Sequence, residues 1–575
     1  PFWLKHLARH LGIPALRPIL SVGMLSKAAR DVLRRAPLET RACTAQATGT
    51  QPHIAVIGTG LVGLTLASSL RQRGFRVTVI DRQPTVAGEC SYANAALLMR
   101  SFSRPKTATI PQLLRWALSR SEPVHVSWRA LVDPAMTAFG LRFLLSGPQT
   151  EQVALETTRI TDRLAQLSIK RIEAIIKEKN LQVPSIKGGV LMFFRDPAKF
   201  RASVEETERS FPPEQHADRF RVVSAEECVE LEPILAKQKD QIVGGIFWHS
   251  DQTVCSLTFC RQLAASLEAE GVDFMQGEEV VAVQPSSTVS SSASIQLRSG
   301  KQVEADGIVL AAGVGTGALL KRLGASGAPP VPLYGMRGHS CTVDASHIAP
   351  SGLDDHVLKR SICDADSMVF FSPLPRDASH PERRLLRIAA FGDFDGWGYG
   401  PDAIRPWRMK QMLSVAEKNL GEDLLPSGGA AAVAATPSVQ RTSLGDELCP
   451  AADPTTRWTG LRPMSPDGLP LVGSVGSVGK APVFVNTGHG SLGWTLSAGT
   501  GEVLAEVVGA SFHSAGAAAS GAVVGRAEFA EFARHLEPSR FRWPEVLRRA
   551  LRMRLGGPGA GKSAEPAADV AGAKA

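Results

Sequence analysis

Apolar and polar positions are most regularly arranged just after residue 50, where they predict a strand, a helix and a second strand. Residues Ile54–Ile57 are uninterrupted apolar positions, which is typical of a strand buried on both faces of a parallel sheet. Apolar positions then recur at helical spacing over Leu61–Arg73, and Gly74 is expected to end the helix. Arg76–Ile80 repeats the buried-strand pattern. The segment 53–82 therefore predicts a βαβ unit.

Three glycines between the first strand and the helix have the spacing G-x-G-x-x-G. Gly58 permits a tight turn, Gly60 lets the backbone approach a pyrophosphate, and Gly63 lets the helix pack closely on the strand. Asp81 follows the second strand, in a position to accept a hydrogen bond from a ribose hydroxyl group. Strand, glycines, helix, strand and acid in this order predict a dinucleotide-binding site.

Further along, the pattern alternates between strands and helices, so an α/β protein is expected. Asp306–Gly313 is another buried-strand pattern, and its small residues Ala312 and Gly313 suit a position beside a nucleotide. Val280 lies in a short predicted strand whose backbone could hold an adenine ring. Residues 331–400 show short alternating runs, which are typical of an antiparallel sheet. A substrate domain is therefore predicted to interrupt the nucleotide-binding domain.

These patterns divide the chain into segments. The nucleotide-binding domain is assigned residues 53–105, 225–325 and 455–510, the substrate domain residues 106–224 and 326–454, and the two extensions residues 1–52 and 511–575. The first extension is transit-like or disordered, and the second is a low-complexity linker, a basic helix and a disordered tail.

Composition limits the class of partner. The 575 residues are 44% hydrophobic and 21% charged, as in globular proteins, and the net charge is +9. Residues 1–52 hold eight Lys or Arg against two acids, and residues 540–575 hold eight against three, so the rest is nearly neutral. We therefore expect no nucleic-acid partner. The eight cysteines contain no C-x-x-C pair, so neither a metal site nor a disulfide framework is indicated.

The N-terminal segment is basic and poor in acids, and a basic amphipathic helix can begin at Met24. These features are typical of a mitochondrial or plastid transit peptide and predict an organellar location, with mitochondria preferred. If the segment is instead a disordered extension, a cytoplasmic location is expected.

Two features of the C-terminal extension bear on its partners. A basic helix predicted at residues 545–555 could touch an anionic membrane and bring the protein near quinones, although a solvated terminal helix is the alternative. Gly556–Ser563 matches G-x-x-x-x-G-K-[ST]. A phosphate-binding loop also needs a preceding strand and a long following helix, so we expect no nucleoside triphosphate there.

A second glycine-rich stretch follows the predicted strand Val483–Asn486. Gly488, Gly490 and Gly493 form a loop that runs into a predicted helix, Trp494–Val508. A helix N-terminus exposes unpaired N–H groups and a partial positive charge, which favour an anion. Because a reduced flavin carries negative charge at its N1/C2=O edge, such a helix would stabilise the reduced cofactor.

Trp458–Gly468 and Asn486–Thr495, together with Asp81-Arg82 and the segment Glu89–Ala96, carry a family resemblance. They resemble the D-amino-acid dehydrogenase small-subunit family, within the D-amino-acid oxidase-like FAD-dependent oxidoreductases. The resemblance covers residues 53–510. It implies an α/β fold in which a Rossmann-like FAD-binding domain of the glutathione-reductase type is interrupted by an α+β substrate domain with an antiparallel sheet.

The resemblance also implies the residues that hold FAD. Those at the ADP half are Gly58, Gly60, Leu61, Val62, Gly63, Asp81 and Arg82, with Val280, Ala312 and Gly313 beside the nucleotide. Those around the ring system are Ser91, Asn94, Gly488, His489, Gly490, Leu492, Gly493 and Trp494.

Three residues are candidates for the substrate side of the site. The planar fork of Arg462 can bond both oxygens of a substrate carboxylate, although a structural salt bridge to a nearby acid is the alternative. His489 is expected to pack on or bond to the flavin, or to be a structural histidine. His339 stands where the family has a tyrosine.

The reaction that this resemblance implies is oxidative deamination of D-amino acids. A hydride would pass from Cα to the flavin, and the electrons would leave to a quinone or another acceptor. The alternatives are a related amine or 2-hydroxy-acid oxidoreductase acting on a sarcosine, glycine or proline derivative, and a flavin-binding assembly protein without turnover. A nicotinamide-dependent enzyme is a third alternative, but the glycine-rich motif at residues 483–495 would have no function in it.

Overall fold

The computed structural model describes residues 51–105, 110–147, 150–348, 357–375, 383–398, 403–425, 428–435, 455–512 and 526–555. The predictions for the basic N-terminal segment and for the motif Gly556–Ser563 concern residues outside these ranges. No helix of the described ranges is long and apolar enough to cross a membrane. The same ranges contain no cluster of side chains suited to a metal ion.

Twenty-one strands are present in the described ranges. They are β1 His53–Ile57, β2 Arg76–Asp81, β3 Leu97–Leu98, β4 Val124–Val126, β5 Ser185–Ile186, β6 Val190–Phe194, β7 Phe220–Val223, β8 Gly244–Trp248, β9 Gln252–Val254, β10 Asp273–Gln276, β11 Val280–Pro285, β12 Ala293–Leu297, β13 Gln302–Ala305, β14 Gly307–Leu310, β15 Tyr334–Asp344, β16 Ser361–Asp364, β17 Val369–Pro373, β18 Leu385–Phe394, β19 Thr455–Met464, β20 Leu471–Val478 and β21 Ala481–Thr487.

Fifteen α-helices accompany them in the same ranges. They are α1 Leu61–Gln72, α2 Ile110–Leu118, α3 Trp128–Leu131, α4 Pro134–Ser146, α5 Glu151–Glu178, α6 Pro197–Ser210, α7 His216–Arg219, α8 Ala225–Leu231, α9 Ser256–Ala269, α10 Thr316–Leu323, α11 Pro406–Leu420, α12 Gly429–Ala435, α13 Gly493–Phe512, α14 Arg526–Leu536 and α15 Trp543–Leu555.

The predicted βαβ unit forms the centre of a six-stranded sheet with the order β10-β2-β1-β14-β21-β20. Its first five strands are parallel, and β20 adds an antiparallel edge. Alternate residues of β1 enter the hydrophobic cores on opposite faces, Ile54 and Val56 on one and Ala55 and Ile57 on the other. Burial on both faces explains why the four residues 54–57 of β1 are all apolar.

A nine-stranded sheet stands beside it with the order β19-β15-β18-β17-β16-β6-β8-β7, and β4 pairs with β18. The antiparallel sheet predicted for residues 331–400 is confirmed by the pairing of β15 with β18, β18 with β17 and β17 with β16. Two pairs, β16 with β6 and β18 with β4, are parallel, so the sheet is mixed. Helices α11 and α12 pack on one face of this sheet.

Two strands fall in segments predicted for the nucleotide-binding domain but pair with strands of the nine-stranded sheet. Strand β8 (Gly244–Trp248) falls in the segment 225–325 but pairs with β6 and β7. Strand β19 (Thr455–Met464) falls in the segment 455–510 but pairs with β15. Both therefore belong to the nine-stranded sheet. A fully buried run predicts a strand, but it does not reveal which sheet that strand joins.

The C-terminal extension contains a helix that the sequence analysis missed. Helix α14 lies in the segment 511–575, and Phe532 and Leu536 insert from it into the core that also contains α13. The basic helix predicted at residues 545–555 is confirmed as α15, which begins two residues earlier, at Trp543.

One buried carboxyl group makes the stability of the fold dependent on pH. The Glu232 side chain is buried, and its Oε2 accepts from the N–H groups of Lys359 and Arg360 at 3.0 and 3.2 Å. Its Oε1 has no partner in the part of the chain that the structure describes. Burial raises the pKa of Glu232 to about 7. The folded chain therefore binds a proton that the unfolded chain releases near the ordinary carboxyl pKa, so the free energy of unfolding falls as pH rises from about 4.5 to 7.

We expect Glu232→Gln to raise the melting temperature at pH 8, because the amide keeps an acceptor for both N–H groups without the buried charge. The difference from the unmodified chain should amount to about 3 kcal/mol at pH 8 and should nearly vanish at pH 4.5. Thermal unfolding at the two pH values measures it. An equal effect at both would refute the buried ionisation.

Candidate active site

A cavity extends from the βαβ unit to the nine-stranded sheet. At one end it is lined by the loop between β1 and α1, and at the other by β15, β18 and β19. It also contains the residues that begin helix α13. Most of the predicted site residues line it: Gly58, Gly60, Leu61, Val62, Asp81, Arg82, Ser91, Asn94, Val280, Ala312, Gly313, His339, Arg462, His489, Gly490, Leu492, Gly493 and Trp494.

Backbone contacts at the βαβ end admit only glycine at two positions. Gly58 has φ +121°, and a Cβ atom there would lie 2.5 Å from the Ala311 carbonyl oxygen. A Cβ atom on Gly63 would overlap the Gly58 carbonyl oxygen, so this glycine lies behind the cavity rather than in its lining. Together they bring the start of α1 against the loop, and the N–H groups of that first turn face an anion in the cavity.

The acid at the end of β2 is held by the loop that it faces. Asp81 Oδ2 accepts from the Thr59 N–H at 2.7 Å and from the Thr59 hydroxyl at 2.8 Å, and its Oδ1 accepts from the Gln83 N–H at 2.8 Å. Burial raises the pKa of Asp81, and these hydrogen bonds oppose that shift. Its remaining lone pair can still accept from a ribose hydroxyl, as predicted. Arg82 forms an ion pair with Glu89 at 2.6 Å.

Two residues that were predicted to contact the flavin ring, Ser91 and Asn94, accept hydrogen bonds from backbone N–H groups of the protein. Both lie in the loop between β2 and β3. Ser91 Oγ accepts from the Leu61 N–H at 3.0 Å and so ties this loop to the start of α1. Asn94 Oδ1 accepts from the Ala96 N–H at 2.9 Å, and Ala96 has φ +57°. The side chain of Asn94 therefore supports a left-handed residue in its own loop, where the resemblance implied a flavin contact.

The second glycine-rich loop leads into helix α13, as predicted. Gly488 has φ +78°, and a Cβ atom there would lie 2.5 Å from Leu471 Cδ1, so Gly488 packs behind the loop. Gly490 has φ +56° and begins the short 3₁₀ turn Gly490–Leu492 that precedes α13. The residues of that turn line the cavity, which places the N-terminus of α13 beside any bound ring.

Unpaired polar atoms show that this cavity suits a large polar ligand. Asn486 is the second-last residue of β21 and is 1% exposed. Neither its Oδ1 nor its Nδ2 has a partner among the described residues. The Trp458 Nε1–H is also buried without one. Because buried polar groups are nearly always hydrogen-bonded, these atoms point to a ligand with both donors and acceptors on its edge. A flavin has such an edge, and the glycine cradle fits its diphosphate.

Arg462 lies at the far end of the cavity, on β19. Its Nη1 donates to the Phe391 carbonyl at 2.6 Å, and no carboxylate among the described residues pairs with it. Burial lowers the pKa of Arg462, partly opposed by the charge of Asp393. The guanidinium lies flat over Gly338, where a Cβ atom would be 2.5 Å from Nη2. The described residues thus form no salt bridge with Arg462, and its guanidinium group faces the cavity.

His489 has a structural partner instead of a catalytic one. Its Nε2 contacts Thr500 Oγ1 at 2.9 Å, and the Thr500 hydroxyl lies within hydrogen-bonding distance of two carbonyls of α13. Burial lowers the pKa of His489 to about 3, so the ring is neutral. A catalytic role for His489 stays a prediction, and its place in the cavity lining agrees with the packing role that was also expected.

His339 belongs to the cavity lining, but its side chain is directed to the other face of β15, so its substrate-side role stays a prediction. Along β15, Ser340 donates to the Ala93 carbonyl on the nucleotide-binding side at 2.7 Å. Alternation then directs His339 to the opposite face, where Cys341 and Val343 pack against α11. There His339 Nε2 lies 3.0 Å from Asp393 Oδ2, and Arg408 Nη2 lies 2.7 Å from Asp393 Oδ1.

Three residues of the site were missed in the sequence. Asn486 precedes the Gly-His-Gly loop, Gly338 makes room for Arg462, and Phe391 supplies the carbonyl that holds it. Asn486 could have been found, because an amide at the end of an otherwise apolar strand has no structural use. Phe391 could not, because its role rests on a backbone bulge, with φ +65°.

We expect Asn486→Leu to weaken FAD binding and to stabilise the FAD-free chain. Removing a buried amide without partners relieves a cost of about 1–3 kcal/mol, and the lost ligand contacts should raise the Kd for FAD about tenfold. Melting curves with and without FAD separate the two effects.

The matched control is Asn419→Leu. The Asn419 amide is also buried but is bonded to Asp364, Val415 and Arg195. That variant should lose stability in both forms and keep the FAD-dependent shift. An unchanged FAD affinity in Asn486→Leu would remove this residue from the site.

Comparison with known proteins agrees with this geometry. The family profile described as FAD dependent oxidoreductase (DAO) matches residues 53–507. A protein named D-amino acid dehydrogenase from Methylobacterium radiotolerans is 30% identical over 461 residues, which cover 79% of this chain and 95% of that protein. Its namesake from Dechloromonas aromatica is 28% identical over 465 residues, which cover 79% and 96%.

Solved structures show the same fold at low sequence identity. Glycine oxidase from Geobacillus kaustophilus superimposes with a TM-score of 0.53 at 16% identity, over 81% of this chain and 96% of that one. L-proline dehydrogenase from P. horikoshii gives 0.51 at 12% identity, over 85% and 98%.

Proposed function

Because this chain belongs to the FAD-dependent oxidoreductase (DAO) family, we propose that it deaminates D-amino acids oxidatively. FAD is the cofactor, and when bound it accepts the hydride from the substrate Cα. The observation that supports the proposal best is the fork of Arg462, which faces the cavity with no carboxylate partner among the described residues. A carboxylate is the group that such a fork binds with two parallel hydrogen bonds.

The position of Arg462 orients the substrate. The Phe391 carbonyl and the bare backbone of Gly338 hold the guanidinium in one plane, so a carboxylate bound to it has one orientation. Fixing the substrate in this way converts binding energy into alignment of the Cα–H bond. His489 and His339 line the cavity but contact Thr500 and Asp393, so we propose that the substrate amine binds as the neutral base and that the reaction depends on alignment.

The walls around Arg462 indicate the substrate side chain. Among the apolar side chains that line the cavity are Met99, Phe102, Val124, Met336, Met368 and Phe370. The remaining charged residues of the lining, apart from the histidines discussed above, lie near the ADP end: Asp81, Arg82, Glu89, Glu278, Glu279 and Arg322. A charged substrate side chain would lose its hydration here without gaining a partner. We therefore propose D-amino acids with apolar side chains as the preferred class.

We propose a quinone as the electron acceptor. A quinone suits a cavity whose far end is apolar and bordered by exposed apolar helices. The proteins named above are bacterial, and the organellar location rests on the composition of residues 1–52 alone.

Anaerobic mixing with a panel of D- and L-amino acids, glycine, sarcosine and 2-hydroxy acids tests the reaction. We expect D-leucine, D-methionine and D-phenylalanine to bleach the flavin fastest, with D-aspartate and D-lysine at least tenfold slower and L-isomers inactive. The visible flavin absorbance measures the rate. Bleaching by glycine or sarcosine alone would favour a related amine oxidoreductase, and no bleaching at all would favour a flavin-binding protein without turnover.

The role of Arg462 is tested by Arg462→Ala, which should raise KM for a D-amino acid about 10- to 100-fold, because charge-assisted hydrogen bonds contribute about 1.5–3 kcal/mol. Arg462→Lys should recover part of this loss, since lysine supplies charge but no fork. Steady-state kinetics and flavin content measure both quantities, and flavin content should not change.

Two further variants complete this test. Gly338→Ala keeps the charge but displaces the guanidinium, so it should raise KM as well. Arg405→Ala removes an arginine that pairs with Asp395 outside the cavity lining, and it should leave KM unchanged. Unaltered kinetics in Arg462→Ala would exclude the carboxylate assignment.

A further inference from the structure

Two side chains of the cavity lining lie against glycines of a neighbouring strand. Arg462 of β19 covers Gly338 of β15, and Met336 of β15 covers Gly392 of β18. A Cβ atom on Gly392 would lie 2.7 Å from Met336 Sδ, 3.2 Å from its Cγ and 3.3 Å from its Cε. The thioether therefore lies across the bare backbone of Gly392. All four residues line the cavity, so one added methyl group at residue 392 would change its shape.

The Met336 thioether is the neighbour of the Arg462 guanidinium. The two residues are directly opposite each other in the antiparallel pair of β15 with β19, so their side chains leave the sheet on the same face. Both reach β18 at consecutive residues, because Arg462 Nη1 donates to the Phe391 carbonyl at 2.6 Å and the thioether covers Gly392. A carboxylate bound to Arg462 therefore carries its substituents next to the thioether.

Strand β4 forms a second border of this pocket. Gly392 lies opposite Val124 in the parallel pair of β18 with β4, and the Gly392 N–H donates to the Pro123 carbonyl at 3.0 Å. Pro123 and Val124 both line the cavity. The Met336 thioether thus occupies the space that a side chain at residue 392 would fill, beside an apolar wall.

The backbone of Gly392 does not itself require glycine. Its φ lies outside the left-handed region, so the conformation allows an alanine. The three atoms that the new methyl group would meet first belong to the end of the Met336 side chain, which has three rotatable bonds and adjusts easily. An alanine at residue 392 would therefore push the thioether into the cavity rather than distort the strand.

We propose that Met336, lying across Gly392, sets the length of the substrate side chain that the site accepts. This role rests on the proposed function, because the substrate carboxylate must bind to Arg462 for its side chain to meet the thioether. Met336 is a specificity-determining residue, which contacts the substrate side chain and takes no part in hydride transfer. One methylene group more or less in an apolar pocket changes kcat/KM about 10- to 200-fold.

The ratio of kcat/KM for D-phenylalanine to kcat/KM for D-alanine measures the length of the pocket. Met336→Ala should raise this ratio about tenfold or more, because the thioether no longer fills the pocket. Gly392→Ala should lower it about tenfold or more, because the methyl group pushes the thioether toward the substrate. In the double variant Met336→Ala/Gly392→Ala the methyl group meets no thioether, so the ratio should stay within about threefold of that of Met336→Ala.

The matched control is Met192→Ala. Met192 lies on β6 of the same sheet, is partly buried and does not belong to the cavity lining. This variant loses the same atoms from the sheet, and its ratio should equal that of the unmodified chain.

Binding of inert carboxylates to the full-length FAD-bound chain gives a second readout that needs no turnover. The visible flavin spectrum reports the Kd of propionate and that of 3-phenylpropionate. The affinity for 3-phenylpropionate relative to propionate should rise in Met336→Ala and fall in Gly392→Ala.

Constant ratios in Met336→Ala and Gly392→Ala, or an equal change in Met192→Ala, would overturn the proposal. Additive effects in the double variant would also contradict it, because the methyl group would then act without the thioether. If no D-amino acid bleaches the flavin of the unmodified chain, the proposed function fails, and the carboxylate affinities still decide whether Met336 limits the pocket. The two failures are thereby distinguished.

Discussion

The unpaired guanidinium of Arg462 sets the strongest requirement on the structure around it. A cation taken out of water without a carboxylate partner is costly, and here one carbonyl, that of Phe391, compensates it inside the protein. Three neighbouring strands adapt to this group. Strand β18 bulges at Phe391, β15 has no side chain at Gly338, and β19 carries the arginine itself. The carboxylate of the proposed substrate would complete this arrangement, which links the shape of the sheet to the chemistry proposed for the site.

The opposite face of the same sheet shows what a purely structural charge looks like. Asp393 is bonded by Arg408 and lies within hydrogen-bonding distance of His339, and Asp395 pairs with both Arg337 and Arg405. There each buried acid meets a cation, as the cost of burial demands. The contrast between the two faces is informative, because Arg337 and Arg408 pair with acids, whereas Arg462 has no carboxylate partner among the described residues. Satisfaction of polar groups, rather than residue type, therefore separates the site from the scaffold.

The nucleotide-binding end of the site could be predicted because it depends on contacts between residues that are close in the sequence. Gly58 and Gly63 are required by backbone contacts within one βαβ unit, so their spacing alone identifies the loop. The substrate end depends on contacts between distant strands, and there the sequence was less informative. Alternation along β15 decides which face carries the His339 side chain, and the pattern of β19 fits either sheet, so neither position follows from the sequence alone. Arg462 was found only through its motif.

Helix α13 connects the two ends. Its glycines allow close packing, since a Cβ atom on Gly499 would lie 3.0 Å from the Leu164 carbonyl oxygen of α5, and one on Gly501 would lie 3.2 Å from the Leu66 backbone nitrogen of α1. Contact with α1 fixes α13 relative to the glycine loop that receives the diphosphate. Its N-terminus, with the partial positive charge of a helix start, is thereby fixed beside the ring position. The same packing that builds the core thus sets the distance between the two halves of the cofactor site.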